Sequence, residues 1–324
     1  MSKSRPLAIV IPAYKQRFLR DTLASIASQT CKDFTLYIGD DCSPYSLKPI
    51  IDEFTDTIPI IYHRFEDNMG GKDLVGHWER CIALSADEPY IWLFSDDDIM
   101  EPHCVEEFFK LPQQIRENHL IHFDIAIIDD SGVTLAMQHP FPSILKPKEF
   151  IEGKLGINGK SRFDVFVVEF IFSRRIYEEN DRFQNYDLAW GTDFITWLKF
   201  STATEGIFTI NHPDCRVLWR KSRENITPST SRSIIARKLK SLIYNASYIN
   251  KWLLQHENKA PFRYTKFVWG NIWDNVRLLS LSDIISFKNI YIEEVGHPVL
   301  ATLVTGVVLL RKAVSSIGSL WSAK

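Results

Sequence analysis

Four short apolar runs constrain this chain most. LAIVIP (7–12), FTLYIGD (34–40), IPIIYHRF (58–65) and YIWLF (90–94) all fall within the first 95 residues. Between them lie segments with apolar residues at helical spacing. Phe18, Leu19, Leu23 and Ile26 mark one over 18–29, a second covers 46–54, and Leu74, Val75, Trp78, Cys81, Ile82 and Leu84 mark a third over 72–85. A short run that is apolar at every position suits a strand covered on both faces, whereas a 3.6-residue period suits a helix lying on such a sheet. Strand and helix alternating at this spacing predict an α/β fold with a mostly parallel sheet flanked by helices. LIHFDIAIID (120–129) adds a further strand, and DDSG (129–132) reads as a turn.

Beyond residue 130 the pattern changes. Pro140, Pro142, Pro147, Gly153, Gly156 and Gly159 make 136–164 read as a long loop, and long loops in compact domains are often functional. Residues 186–205 regain helical spacing, and 231–324 is helical with breaks near Pro261, Ser282 and Pro298. A boundary near 230 divides the chain into an α/β domain, 1–230, and a helical C-terminal region, 231–324. The former divides near 110 into a regularly alternating part, 1–110, and a less regular part, 111–230. The net charge of −2 conceals an asymmetry, for residues 1–130 hold 12 Lys+Arg against 23 Asp+Glu and the remainder 26 against 17. An acidic half suits cations, and a basic half suits phosphates or an anionic surface. Five scattered cysteines with no C-x-x-C pair point to neither a zinc site nor a disulfide framework. The apolar run at the N-terminus is too short for a signal peptide, and no stretch of eighteen apolar residues occurs, so a cytoplasmic protein is expected.

The strand ends carry the chemistry. In an open parallel sheet, ligands bind outside the carboxyl ends of the strands. The first strand ends in Pro12-Ala13-Tyr14, the second in Asp40-Asp41-Cys42-Ser43, and the fourth in Asp96-Asp97-Asp98. Five carboxylates gathered along one edge repel one another unless a cation joins them. Mg²⁺ or Mn²⁺ is the natural partner, because each takes oxygen ligands and commonly keeps phosphate oxygens in its shell.

IVIPAYK, LRDTLASIASQT, FTLYIGDDCS, NMGG and YIWLFSDDDIMEP follow one another over roughly residues 5–110. This ordered set resembles the nucleotide-binding half of a family 2 glycosyltransferase with the GT-A (Rossmann-like) fold. Its pattern is a strand ending in P-x-Y, a helix with S-x-x-x-Q, a strand ending in D-D-x-S and a later D-x-D. The resemblance implies roles, with 1–110 as the nucleotide-sugar-binding half of the α/β domain and 111–230 as its acceptor side. Pro12, Ala13 and Tyr14 would line the base and ribose pocket, and Asp41 would accept from a nucleobase, most simply uracil N3–H. Asn68 and Gly70 would bring backbone close to the nucleotide, and Asp96 would touch the ribose. Asp98, with Asp97, would hold Mg²⁺ or Mn²⁺ against the diphosphate.

Two matches lie further on. WGTDFITWLKF (190–200) resembles the acidic motif whose Asp is the catalytic base, which implies that role for Asp193, although Thr192 stands where a Glu is usual. Asp187, Asp181 and Glu169 are the fallback bases, and an Asp at a helix start is also a common N-cap. VLWRKSRENIT (217–227) resembles the segment that closes over the diphosphate. Arg220 and Asn225 match it, Ser222 replaces its customary His, and Lys221 or Arg223 offers a substitute positive charge. The implied reaction is inverting transfer of a sugar from a nucleotide diphosphate sugar, UDP-sugar foremost, to a saccharide or lipid-linked saccharide in bacterial surface polysaccharide assembly. One carboxylate takes the acceptor proton, in contrast to the paired carboxylates of glycosidases. A GT-A protein that binds nucleotide sugar without turnover is the alternative, and no nucleic-acid partner is expected.

Leu300, Leu303, Val307, Leu310, Val314, Ile317 and Trp321 form one helical stripe. It could dock on the protein body, pair two copies as a homodimer, or lie in a membrane interface through 298–324 at the inner face of the plasma membrane. Arg311 and Lys312, with the basic run Arg232, Arg237, Lys238 and Lys240, favour an anionic surface nearby.

Overall fold

The structure is a computed structural model that describes residues 5–222, 224, 231–258 and 263–321, with 263–264 and 315–321 as backbone alone. The chain divides into two compact units, one of residues 1–185 and 192–225, the other of 186–191 and 226–324.

The first unit opens with the predicted alternation. Strands β1 (Leu7–Ala13), β2 (Phe34–Asp40), β3 (Ile60–Arg64) and β4 (Tyr90–Leu93) are interleaved with helices α1 (Leu19–Ala27), α2 (Lys48–Asp52) and α3 (Leu74–Ile82). β1 pairs in parallel with β2, from Leu7 opposite Phe34 to Ala13 opposite Asp40, and with β4, from Leu7 opposite Tyr90 to Val10 opposite Leu93. β3 lies parallel to β2 on its other side. Leu7 to Ile11 are fully buried, as the continuous apolar run requires. Burial of each of the Leu, Ile and Val side chains among them contributes about 1.5–3 kcal/mol. α3 begins at Asp73, whose carboxylate accepts from the Gly76 N–H at 2.9 Å. α3 also packs close on β2. A Cβ built at Gly39 would stand 2.3 Å from the Cys81 sulfur, so only glycine lets the helix lie over the strand end that carries Asp40 and Asp41.

After β4 come a short strand β5 (Ile99–Met100), helices α4 (Cys104–Lys110) and α5 (Gln113–Asn118), and strands β6 (Leu120–Phe123), β7 (Ile125–Ile128), β8 (Thr134–Met137) and β9 (Ile144–Leu145). Helix α6 (Pro147–Leu155), strand β10 (Phe170–Ser173), helices α7 (Arg174–Glu179) and α8 (Thr192–Thr202) and strands β11 (Ile207–Ile210) and β12 (Val217–Arg220) complete the unit. The eight-stranded sheet runs β3-β2-β1-β4-β10-β6-β11-β9, and a four-stranded sheet runs β5-β12-β7-β8. β10 is antiparallel to both β4 and β6. The large sheet is therefore parallel from β3 to β4 and mixed beyond. Trp92 of β4 stacks on Phe123 of β6 with centroids 4.8 Å apart and donates from its indole N–H to the Val168 carbonyl, which locks the two halves together.

Two expectations about elements are corrected. The single strand over 120–129 is two strands in different sheets. β6 joins the large sheet, the chain turns at Asp124, and β7 pairs with β12 in the small one. Both pieces are apolar, so periodicity carries no sign of the break. The loop over 136–164 contains β8, β9 and α6. Its prolines and glycines mark element ends as well as disorder of pattern. Pro147 occupies the first turn of α6, where its missing N–H is not needed, and Gly156 closes the helix at φ +61°. The turn at 129–132 is present, with Gly132 at φ +81° and the Asp129 carboxylate accepting from the N–H groups of Ser131 and Val133.

Among the described residues the second unit holds four helices, α9 (Arg232–Glu257), α10 (Arg263–Asp274), α11 (Leu281–Glu294) and α12 (Pro298–Trp321). Residues 186–191 belong to it, and in place of the predicted helix start they form an irregular segment with Leu188, Ala189 and Gly191 at positive φ. Asp187 pairs with Arg237 of α9, and Asn245 of α9 donates to the Trp190 carbonyl. Among the described residues, no helix is long and apolar enough to cross a membrane.

Candidate active site

The parallel register of β1, β2 and β4 brings their C-terminal ends side by side, and with them five acids. Asp40, Asp41, Asp96, Asp97 and Asp98 are all buried. Burying a carboxylate is unfavourable unless donors or cations surround it, so each one's partners define the local structure.

Asp40 accepts from the Ser43 N–H at 2.8 Å, the Tyr62 hydroxyl at 2.6 Å and the Arg64 guanidinium at 2.8 Å. Burial and the Asp40 carboxylate push the Tyr62 phenol up to about 12. Asp41 is the centre of a second cluster. Its Oδ1 accepts from the Met69 N–H at 2.9 Å and its Oδ2 from the Gly70 N–H at 2.8 Å. Arg80 closes on Oδ1, the His77 imidazole stands 3.3 Å from the same oxygen, and the Asn68 amide donates to the Asp41 carbonyl. The Arg80 guanidinium lies 3.9 Å above the Phe65 ring. Burial lowers the His77 pKa to about 4 against the pull of Asp41, so the ring is neutral and structural. Gly70 is held so near that a Cβ there would meet Asp41 Oδ2 at 2.8 Å. The Asn68–Gly70 backbone is thus pinned beside Asp41.

The two clusters are joined at the end of β1. The Asp41 N–H donates to the Ala13 carbonyl and the Ser43 hydroxyl to the Tyr14 carbonyl, leaving the Tyr14 ring exposed and Pro12 half-buried. From the other side Asp96 reaches back, and its Oδ2 accepts from the N–H groups of Tyr14 at 2.7 Å and Lys15 at 2.6 Å. Lys15 extends its ammonium to Asp97 and, at 3.3 Å, to Asp96 Oδ1. Burial alone would lower the Lys15 pKa, but Asp96 and Asp97 outweigh it and hold the ammonium above its ordinary value.

Asp98 accepts from the Ser95 hydroxyl at 2.7 Å and from the Arg220 N–H at 2.7 Å. Burial, and then the neighbouring Asp97, push its carboxyl up to about 8, a shift that a bound divalent cation would reverse. The Arg220 side chain is itself buried. Its guanidinium donates to the carbonyls of Asp97, Asp129 and Asp130 and stacks 4.3 Å from the Phe18 ring. Arg220 therefore clamps the acidic loop onto the 129–130 turn. Lys221 is exposed, and Ser222 is buried with its hydroxyl accepting from the Glu224 N–H. Arg223 and Asn225 lie outside the described residues.

Asp193 stands apart in a second group. It lies in the first turn of α8, half-buried, with Oδ1 accepting from the Phe194 N–H at 2.7 Å. Burial raises its carboxyl to about 6, with Lys154 opposing the shift. Of the fallback bases, Asp187 is paired to Arg237, and Asp181 sits at φ +50°. Glu169 is fully buried 3.9 Å from the His122 ring, and burial holds its carboxyl well above the usual carboxylate range. Trp197 is core, donating to the Phe166 carbonyl, while Trp190 carries the Lys238 ammonium 4.4 Å from its ring.

Lys15, Arg80, Tyr62 and Arg64 are the participants that motif reading does not supply. Lys15 follows the strand-end motif directly, and a lysine two residues past a strand that neighbours an acid triplet is the available signal.

An open sheet with acids crowded on its ligand edge and an antiparallel strand at its middle is the GT-A arrangement of a sugar-transferring enzyme. The chain belongs to glycosyl transferase family 2, whose sequence model matches residues 8–180, and it is a glycosyltransferase. No curated protein matches it in sequence. Among solved structures it is similar to S. aureus TarS 1-349 in complex with UDP-GlcNAc, at 11% identity and a TM-score of 0.53, covering 89% of this chain and 88% of that one. The same TarS fragment in complex with UDP gives a TM-score of 0.51 at 11% identity and the same coverage. A longer S. aureus TarS structure gives 0.52 at 10% identity, covering 93% of this chain and 55% of that one. At these identities the likeness shows the fold.

The Arg220 contacts generate a test. Arg220→Met keeps the aliphatic stem but strands three carbonyls and leaves the acidic loop without its clamp. Loss of buried hydrogen bonds at about 1–3 kcal/mol each predicts destabilisation of about 3 kcal/mol or more in urea titration. A variant of unchanged stability with sharply weaker nucleotide binding would show instead that the guanidinium serves the ligand.

Proposed function

We propose that this chain transfers a sugar from a nucleotide diphosphate sugar, with UDP as the nucleotide, to a saccharide or lipid-linked saccharide acceptor, with inversion and with Mg²⁺ or Mn²⁺. The observation that carries this reading is the set of five buried carboxylates at adjoining strand ends, beside a backbone loop pinned at Asn68–Gly70. The TarS complexes with UDP-GlcNAc and UDP support the choice of nucleotide.

The residues fit a metal that completes its shell with phosphate oxygens. Asp97 and Asp98 are hard oxygen donors, and burial, then the charge of Asp97, keeps the Asp98 carboxyl raised, the environment that a divalent cation relieves. Among the described residues no group of three or more acidic, His or Cys side chains converges on a metal position. Asp97 and Asp98 would hold the ion, and it would neutralise the departing diphosphate. Asp41 Oδ2 keeps acceptor capacity for a uracil N3–H beside the Gly70 N–H that it already accepts. Pro12, Ala13 and the exposed Tyr14 line the same edge for base and ribose, and Asp96 fixes that edge through the Tyr14 and Lys15 N–H groups. Asp193 removes the acceptor proton. Its raised pKa makes it a better base than an exposed aspartate while leaving it ionised near neutrality.

Asp98→Ala abolishes Mn²⁺-dependent UDP binding in calorimetry while the protein stays folded, because removing one crowded acid relieves repulsion. Unchanged affinity in that variant would dismiss the metal reading. Asp193→Asn lowers transfer by about 10² or more, the scale of general-base loss, with donor affinity within a few-fold. The wild-type rate rises with pH through about 6 as Asp193 ionises, and this limb is missing from the variant's profile. A variant that keeps its rate and only melts earlier identifies Asp193 as a structural residue of α8.

The acceptor's setting is read from α12. Leu303, Val307, Leu310 and Val314, with Val299, are exposed along one face, while Ala301, Thr305 and Val308 are buried on the other. Of the stripe, Leu300 is half-buried, Leu303, Val307, Leu310 and Val314 are open, and Ile317 and Trp321 are described as backbone alone. Residues 298–321 contain no acidic residue, so two copies paired along this face would lack complementary charges. A membrane interface with anionic lipid is the better partner, although Arg311 stacks on Trp273 and Lys312 donates to the Val276 carbonyl. The protein co-sediments with phosphatidylglycerol vesicles at low salt, and Leu303→Glu with Leu310→Glu abolishes this without lowering transfer to a short soluble acceptor. Retained sedimentation, or conversion of a dimer to a monomer by the same changes, overturns the membrane reading.

A further inference from the structure

The cation position between Asp96 and Asp97 is filled by the chain itself. Lys15 Nζ contacts Asp97 Oδ2 and stands 3.3 Å from Asp96 Oδ1. The side chains of the two acids are 5% and 7% exposed, whereas that of Lys15 is 23% exposed. The acids are therefore closed in, and the lysine covers them from the solvent side. Its backbone is held independently, because the Lys15 N–H donates to Asp96 Oδ2 at 2.6 Å. The ammonium can thus leave by rotation about its own four-carbon stem while the loop that carries it stays in place.

Three consecutive buried carboxylates cannot all remain ionised without a positive charge nearby. A lysine ammonium is a compact point charge with three donors, well suited to two carboxylate oxygens in the absence of a ligand. A divalent ion and its diphosphate bring a larger positive charge to the same oxygens and, beside them, a larger negative one. The ammonium and the metal compete for Asp97, whereas the ammonium and the diphosphate attract. We propose that Lys15 is an exchangeable internal cation. It neutralises Asp96 and Asp97 in the donor-free enzyme, yields the Asp97 oxygen to the metal when the metal–nucleotide diphosphate enters, and transfers its ammonium to a diphosphate oxygen. This rests on the metal and nucleotide reading above. It adds a built-in order, in which metal alone is resisted and metal with nucleotide is welcomed.

The test uses Mn²⁺ and UDP on the full chain. Free Mn²⁺ measured by electron paramagnetic resonance gives the affinity without nucleotide, and calorimetry gives UDP affinity at saturating Mn²⁺. Lys15→Met removes the competitor, so Mn²⁺ alone binds about tenfold or more tighter than to wild type, within the ordinary range for two mutually exclusive ligands. The same variant binds UDP about tenfold more weakly at saturating Mn²⁺, having lost the diphosphate contact. Its melting temperature falls without metal and recovers when Mn²⁺ is added. Lys15→Gln, which keeps a donor for Asp97 but no charge, shows the same two affinity changes and serves if Lys15→Met folds poorly. Mn²⁺ affinity unchanged or weakened in both variants overturns the exchange, as does undiminished UDP affinity. Wild type and variants that bind UDP equally with or without Mn²⁺ overturn the exchange and the metal while sparing the nucleotide. Failure of wild type to bind UDP in any condition overturns the underlying reading as well.

Discussion

Buried negative charge at the ends of three parallel strands is the constraint on which the site depends. Each carboxylate excluded from water must find donors, and here they come mainly from neighbouring loops. Asp96 takes the N–H groups of Tyr14 and Lys15, Asp41 those of Met69 and Gly70, and Asp98 that of Arg220. A loop whose amide is bonded to a fixed carboxylate has lost most of its freedom. The acids therefore shape the edge of the sheet before any ligand arrives, and the surface proposed to meet a nucleotide sugar is largely prepared in advance.

The second half of the unit extends this arrangement. β10 enters antiparallel between β4 and β6, and Trp92 stacks across it onto Phe123. The small sheet carries β12, and from its end Arg220 reaches the Asp97 carbonyl and the 129–130 turn. The acidic loop is thus held from two directions, by the end of β1 and by the end of β12. An arginine so placed raises the local positive charge while its donors are engaged by the Asp97, Asp129 and Asp130 carbonyls and, at 3.5 Å, by the Asp21 carboxylate. Its influence on a bound diphosphate would pass through the position of Asp97 and Asp98.

Motif order and structure agree where the interaction is local in sequence. Pro12-Ala13-Tyr14, Asp40-Asp41 and the acid triplet occupy strand ends because an apolar run followed by a charge has few other places to lie. Partners far apart in the chain were not legible. Lys15 meets Asp97 across 82 residues, Arg80 meets Asp41 across 39, and Arg220 meets the Asp97 carbonyl across 123. Nothing in a lysine's sequence neighbours states which acid it will face.

The sequence by itself determined the alternation of buried strands and amphipathic helices, the row of acids at the strand ends and the family to which these belong. Periodicity and turn chemistry act over a few residues, and these features are written at that range. Only the tertiary structure decided that 120–129 divides at Asp124 between two sheets, that 136–164 contains a helix between its prolines and glycines, and that Lys15 stands among the acids where a metal is implied. Sheet membership is settled by which distant strand offers a free edge. The cation at the acid cluster is settled by which side chain the parallel register of β1 and β4 brings within reach. Both are properties of the assembled sheet, and no stretch of chain shorter than the sheet contains them.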